Sequence, residues 1–190
     1  MSSLSPVAIT AIVLALFVVW AIVTYNRFVT LRNRTEEGWS DVEVQMKRRY
    51  NLIPNLVETV KAYAKHESST LEKVTAARNA AMGASSLAEH AQAENMLSST
   101  LKSLFAVSEA YPDLKANQNF LQLQDELRDA EDKIQASWRF YNSNVREYNT
   151  SLQHFPANLI GNLFRFTEKE FFELTEAEAA TVREAPKVSF

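Results

Sequence analysis

The chain has 190 residues, enough for one domain with a hydrophobic core, and the usual size of protein domains argues against two. It contains no cysteine, which excludes disulfides, thiolate metal sites and a cysteine nucleophile. Its net charge of -3 is too weak to indicate nucleic-acid binding, and its three glycines form no glycine-rich loop that would cradle a phosphate. Because glycine and proline are scarce, we expect long helices with few turns.

The N-terminal part of the chain is apolar and carries no charged side chain before residue 27. Residues 1–5 form a short tail, and residues 6–25 form an uncharged run that would rise roughly 30 Å as a helix, the thickness of the hydrocarbon core of a bilayer. This pattern predicts a transmembrane helix and a lipid bilayer as partner. The alternatives are a cleaved signal peptide, which has a basic start and a shorter apolar run, and a buried core helix. The residues assigned to the membrane anchor and its interface are Pro6, Trp20, Tyr25 and Arg27.

The charges beside this segment predict its orientation. Arg27, Arg32 and Arg34 all follow the apolar run, and basic residues next to a membrane span tend to stay in the cytoplasm. We therefore expect a single-pass protein of the cell (inner) membrane, with its N-terminus outside and its body cytoplasmic.

After the anchor, apolar residues recur at steps of three and four, which predicts a helical bundle over residues 27–174. Gly83 suits a C-terminal cap, and Ser86 with Glu89 forms a capping box that opens the next helix. Short connections between helices favour antiparallel neighbours. The predicted helices are 27–82, 86–110, 117–154 and 157–164, the last with a possible extension over 168–174.

The predicted fold class is all-α: an N-terminal transmembrane helix followed by an antiparallel three- to four-helix bundle with a very long first helix. Because the first helix exceeds its partners in length, either it projects as a stalk or it breaks, and Pro54 is the expected kink. The last residues, 175–190, are acidic and predict a mostly extended tail, docked on the bundle or free.

A polar motif repeats at heptad spacing near the end of the third predicted helix, since residues 139–142 read RFYN and residues 146–149 read REYN. Seven residues return to nearly the same face of a helix, so these side chains form parallel stripes. One interpretation packs the tyrosines in the helix seam, with the asparagines setting register. The other is a groove that recognises a partner. Its candidate residues are Arg49, Asn51, Asn55, Arg139, Tyr141, Asn142, Arg146, Tyr148 and Asn149.

Several of these segments resemble one bacterial family. The stretch RRYNLIPNLVETVK at residues 48–61, YPDLKAN at residues 111–117, LQ-x-EL at residues 123–127 and the polar motif at residues 139–149 are similar to the LemA family of membrane proteins. The likeness extends from the anchor to about residue 172. It implies a membrane-tethered antiparallel helical bundle and supplies no catalytic residues. The family's magnetosome-associated members imply membrane organisation by analogy.

The sequence offers little chemistry beyond this. Residues three before His66, His90 and His154 are not glutamate, so the Glu-x-x-His pairs of di-iron bundles are absent from the sequence. We predict no catalytic, cofactor-binding or metal-binding residues. The expected function is a non-enzymatic membrane-anchored scaffold that binds itself or other membrane proteins, as a homo-oligomer. A membrane-remodelling protein is the alternative, followed by a hydrolase or ligand-binding protein that uses the polar groove.

Overall fold

The computed structural model describes residues 5–173, and within that range the chain is all-helical and has no strand. The predicted all-α fold with a very long first helix is confirmed. Residues 1–4 and the predicted tail at 175–190, including the question of its docking, lie outside the described residues. The helices in the described range are α1 (Pro6–Tyr63), α2 (Ser68–Gly83), α3 (Leu87–Ser108), α4 (Pro112–Lys115), α5 (Gln118–Gln153) and α6 (Ala157–Leu163).

The first helix begins at a local start signal. The Ser5 hydroxyl accepts a hydrogen bond from the Ala8 backbone N–H at 3.3 Å, and Pro6 takes the first helical position, where its missing N–H costs nothing. Among the described helices, α1 is the one long and apolar enough to cross a membrane. Only 6% of its most apolar 18-residue window is buried. This exposure argues against the core-helix alternative, because a core helix would be covered by its neighbours.

The prediction of one helix over residues 27–82 is wrong, because α1 ends at Tyr63 and α2 begins at Ser68. The four residues between them form a turn in which the Glu67 N–H donates to the Ala64 carbonyl at 3.2 Å. Helix α1 passes through Pro54 without interruption, so the chain breaks ten residues after the expected kink. Because the chain turns back after Ala64, α2 can bury its apolar face in the bundle. The stretch at the turn has no glycine or proline and could have stayed helical, but the burial of α2 contributes more stability than a longer α1 would.

The chain divides into two compact units. The described part of the first unit contains residues 5–40 and Arg139–Phe171, and that of the second contains Asp41–Trp138 and residues 172–173. Helices α1 and α5 each contribute residues to both units.

The second unit packs α1, α2, α3 and α5 around an apolar core and also contains the short α4. Asn117 donates to the Tyr63 hydroxyl at 2.9 Å, and Arg49 contacts Glu131, so rising numbers on α1 meet falling numbers on α5. The two helices are therefore antiparallel. The turns at residues 64–67 and 84–86 connect the other neighbours, and the predicted capping box of α3 is present. Buried apolar residues of this unit include Met46, Ile53, Leu56, Val60, Val74, Leu97, Leu104, Phe120 and Ile134.

In the first unit, α1 and α5 approach closely at Gly38. A Cβ atom there would lie 3.3 Å from Asn144 Nδ2, slightly closer than ordinary van der Waals contact, and 3.4 Å from the α-carbon of Tyr141, at the limit of such contact. The absence of a side chain at Gly38 thus permits this crossing. Asn144 also donates to the Arg34 carbonyl at 3.3 Å, which fixes the register of the pair.

After α6 the chain leaves the helical conformation. Arg165 adopts a left-handed backbone with φ of 57°, and the Phe166 N–H donates to the Gly161 carbonyl at 2.9 Å. This is the hydrogen-bond pattern of a Schellman cap with arginine where glycine is usual. The possible extension of the fourth helix over 168–174 is wrong for residues 168–173, which are not helical.

Candidate functional site

The predicted anchor residues lie along the first half of α1. Pro6 begins the helix and Arg27 is exposed to solvent at its first charged position. The Tyr25 ring packs edge-on against two aromatic rings of the chain, Phe164 at 4.8 Å and Phe166 at 5.6 Å between centroids. The downstream end of the apolar stretch is thereby connected to the segment that follows α6.

The inner part of the polar heptad stripe binds the chain's own backbone. Asn149 Nδ2 donates to the Lys169 carbonyl at 2.8 Å, and the Lys169 N–H donates to Asn149 Oδ1 at 2.9 Å. About two turns earlier on α5, the Tyr141 hydroxyl donates to the Glu170 carbonyl at 2.9 Å. We call residues 167–171 the strap. Because α5 side chains bind three backbone groups of the strap, the strap is held without a strand or helix of its own.

Burial raises the pKa of both phenols of the stripe above the ordinary value of 10.0. Desolvation raises the pKa of Tyr141 above its usual value, and the nearby Glu170 carboxylate raises it further. Desolvation also raises the pKa of Tyr148, although Arg32 acts in the opposite direction. Each tyrosine therefore remains a hydrogen-bond donor at neutral pH.

The remaining groove candidates differ in exposure and in the unit to which they belong. Arg139 and Arg146 are exposed on α5, and Asn142 is half-buried. Asn51 and Asn55 are exposed on the part of α1 that belongs to the second unit. The inner residues of the stripe thus bind the strap, and recognition of a partner by the stripe stays a prediction.

Arg49 lies at the centre of a buried charge cluster in the second unit. Its side chain is 1% exposed and contacts the carboxylates of Glu94, which is 0% exposed, and Glu131, which is 33% exposed. Arg49 Nη1 also donates to the Ser98 hydroxyl at 3.2 Å. One guanidinium therefore links α1 to α3 and α5, and a charge buried this deeply requires such partners.

Tyr50 completes this cluster by donating its hydroxyl hydrogen to Glu94. Burial raises the pKa of Tyr50 to about 12, although the positive charge of Arg49 acts to lower it. Its backbone carbonyl accepts a hydrogen bond from Arg78 Nε at 2.7 Å, which attaches α2 to α1. Polar contacts near Arg49 and Tyr50 therefore join α1 to α2, α3 and α5.

A cleft of about 390 Å³ opens beside this cluster between α3 and α5. Its wall combines apolar side chains such as Leu101 and Phe105 with charges of both signs, including Lys102 and Asp132. A cleft with such a mixed wall suits ligand binding better than proton transfer, since its buried Arg49 is already paired with Glu131. The full lining is Arg49, Asn95, Ser98, Leu101, Lys102, Phe105, Gln124, Leu127, Arg128, Glu131, Asp132, Gln135 and Trp138.

The sequence signal for the charge cluster was present but incomplete. Arg49 is visible as the one charge in the apolar seam of α1. Glu94 occupies an apolar-face position of α3, between Ala91 and Leu97 at helical spacing. A charge of each sign on two apolar faces indicates a buried ion pair, and this pairing was missed. Among residues 5–173, no group of three or more His, Cys, Asp or Glu residues is placed to hold a metal ion.

Comparison with known proteins gives a match to the LemA family over residues 38–190. The chain belongs to the LemA family. Protein LemA of Metamycoplasma hominis is 25% identical over 158 residues, covering 83% of this chain and 72% of that protein. Magnetosome protein MamQ of Magnetospirillum gryphiswaldense is 24% identical over 191 residues, covering 87% and 70%. Magnetosome protein MamQ 2 of Paramagnetospirillum magneticum is 26% identical over 183 residues, covering 83% and 67%.

The LemA match begins at residue 38, after the apolar stretch, so it covers the bundle and the strap but not the predicted anchor. None of the relatives' names states an enzymatic activity. Together with the exposed apolar part of α1, the LemA family and its MamQ relatives suggest a membrane-associated protein.

Proposed function

We propose that this LemA-family protein is a membrane-anchored scaffold whose helical bundle lies on the cytoplasmic side of the inner membrane. The observation that carries the proposal is the construction of α1, in which an apolar stretch with exposed side chains continues without interruption into the folded bundle. Apolar side chains of this number are stable when exposed to lipid and not when exposed to water. A cleaved signal peptide typically has a basic start and an apolar run of about 7 to 15 residues, whereas the run at residues 6–25 is longer and no charged residue precedes it.

The orientation is supported by the position of the basic residues. Arg27, Arg32 and Arg34 follow the apolar stretch and are exposed, so they can remain on the cytoplasmic side. Protease added to intact spheroplasts should leave the body uncut, and protease added after lysis should digest it. Digestion without lysis would overturn the orientation.

Binding to other copies or other membrane proteins is supported by apolar side chains on the surface of the bundle. Met82 on α2 and Met96 on α3 are both exposed, and methionine adapts well to varied partners. Crosslinking in native membranes should therefore give oligomers or co-purifying proteins in mild detergent. Met82→Glu with Met96→Glu should reduce them, whereas the exposed Glu72→Gln on α2 serves as the matched control. A crosslinked sample that contains monomer alone would remove this part of the proposal.

A second candidate is a membrane-organising protein, and the likeness to magnetosome proteins favours it. In this case many copies would shape a membrane instead of recruiting a partner to it. Reconstitution into vesicles at rising protein density separates the two functions by electron microscopy. Vesicles that stay smooth and round at high density would exclude membrane shaping and leave the scaffold.

A further inference from the structure

The segment around α6 is unusually apolar for a protein surface. Residues 154–164 contain no Asp, Glu, Lys or Arg. Four large apolar side chains in this stretch are exposed: Phe155 79%, Leu159 56%, Leu163 71% and Phe164 54%. Soluble proteins rarely leave so many neighbouring apolar groups in water without a partner that covers them.

The other face of α6 is already packed within the first unit. Ile160 and Gly161 are buried, and a Cβ atom on Gly161 would lie 2.9 Å from Leu152 Cδ2 and 3.7 Å from the Phe28 ring. The segment is therefore firmly attached to α1 and α5 through one face. The exposed residues of α6 are Leu159, Asn162 and Leu163, so its outer face is mainly apolar and carries no charge, unlike that of an ordinary surface helix.

The contacts of this segment place it beside the end of the apolar stretch of α1. Phe164 packs on Tyr25, and a small cavity is lined by Trp20 and Arg27 on one side and by His154 and Pro156 on the other. At a rise of 1.5 Å per residue, Trp20 lies about 10 Å along α1 from Arg27. The turn before α6 therefore lies at the level of the last turns of the transmembrane stretch.

This depth agrees with that of helices that lie in a membrane interface, whose apolar faces enter the headgroup and acyl boundary by about 5–10 Å. Cations are also in place at the boundary, since Arg165 follows the apolar segment and is exposed, as is Arg27. Guanidinium groups at this level can pair with the phosphates of lipid headgroups.

We propose that residues 154–166, which we call the α6 wedge, insert into the surface of the bilayer beside the transmembrane helix and form a second membrane contact. This inference rests on the proposed membrane anchor. The occupant of the exposed apolar face is the same bilayer, because Phe164, which is itself exposed, packs against Tyr25 at the end of the apolar stretch of α1. Together, the transmembrane helix and the wedge would hold the first unit against the membrane at two places.

The test uses the full chain in phosphatidylcholine–phosphatidylglycerol vesicles and site-directed spin labels. Because the chain has no native cysteine, Leu163→Cys and Phe155→Cys each provide a single labelling site at an exposed position. Val19→Cys, in the apolar stretch, is the lipid control, and the exposed Ser143→Cys on α5 is the water control. The measurement is relaxation of the label by oxygen, which concentrates in lipid, and by a nickel chelate, which stays in water.

Labels at 155 and 163 should be accessible to oxygen and protected from the chelate, as at 19. If they behave like the label at 143 while 19 reports lipid, the wedge is overturned and the anchor stands. If 19 also reports water, both proposals fail. Labels at 155 and 163 protected from both reagents would place a protein, such as a second copy, on this face and would equally overturn the wedge.

Discussion

Asn149 and Lys169 are joined by a reciprocal pair of hydrogen bonds, with the amide of the α5 side chain bound to both the carbonyl oxygen and the N–H of the strap residue. An asparagine amide matches a peptide group in this way because it offers one acceptor and two donors. A residue predicted from its heptad spacing as part of a groove or a register device therefore holds a segment of its own chain.

Replacing Asn149 should release the strap. Asn149→Ala removes two hydrogen bonds at a buried position and should lower the free energy of unfolding by about 2 kcal/mol. Trypsin should then cut after Lys169 faster than in the unmodified protein. Asn51→Ala, at an exposed position on α1, should change neither measurement. If Asn149→Ala left stability and cleavage unchanged but abolished partner capture, the groove hypothesis would gain at the expense of this one.

The Arg49 cluster should behave as a unit. Arg49→Met leaves Glu94 buried beside no cation and should cost about 3–5 kcal/mol in chemical denaturation. Adding Glu94→Leu to Arg49→Met removes the stranded carboxylate and should restore most of that loss. A double variant as unstable as Arg49→Met alone would show that the cost comes from lost packing. Arg49→Lys should also be less stable than the unmodified protein, since an ammonium cannot reach both carboxylates and Ser98 as the guanidinium does.

The start of α3 should be sensitive to acid. Hydrogen bonds from the Ser85 backbone, the Ser85 hydroxyl and the Ser86 backbone hold the pKa of Glu89 below its ordinary value of 4.5. A carboxyl with a lowered pKa in the folded state contributes stability above its unfolded pKa, and this contribution is lost as pH falls through the folded pKa. Denaturation midpoints measured from about pH 6 to about pH 3 should fall less in Glu89→Gln than in the unmodified protein. Glu72→Gln, at an exposed position of α2, should retain the original pH profile.

The left-handed residue after α6 offers a stabilising change. Arg165 has φ of 57°, a conformation that costs a residue with a Cβ atom about 1 kcal/mol relative to glycine. Arg165→Gly should raise stability by about that amount in thermal or chemical unfolding. Arg165→Ala keeps the Cβ atom and removes the charge, so it separates backbone strain from electrostatics. Equal stability of the two variants would contradict the strain argument.

The helical fold was predictable because apolar spacing in this chain is regular and turn residues are few. The division of the first predicted helix at Ala64 was harder. The three- and four-residue spacing of apolar residues over 39–63 shifts phase before Leu71 on α2, and this shift is the sequence signal of the turn, but no glycine or proline marks it. The turn is stabilised by contacts distant in sequence, such as the hydrogen bond from Arg78 to the Tyr50 carbonyl. Local propensity does not contain that information.

The site was predictable in part for a similar reason. The polar residues of the RFYN and REYN motifs stand out by their period, yet the strap that two of them bind has no period of its own. The side chains of α5 bind the backbone groups of the strap, and because every residue has such groups, the sequence does not indicate which segment will be bound. The pairing of Arg49 with Glu94 was open to prediction from two charges on apolar faces, whereas the choice of Glu131 as the second carboxylate depends on how α5 lies against α1.

Helix α1 has a further consequence for the first unit. Its apolar stretch and the residues that pack against α5 and α6 belong to one continuous helix, so in the proposed membrane-anchored state no flexible joint separates this unit from the bilayer. In a bilayer thinner or thicker than the stretch requires, a transmembrane helix responds by changing its tilt. Here a change in the tilt of α1 would also rotate the rest of the first unit. The local thickness of the bilayer would therefore set the angle between this unit and the membrane plane.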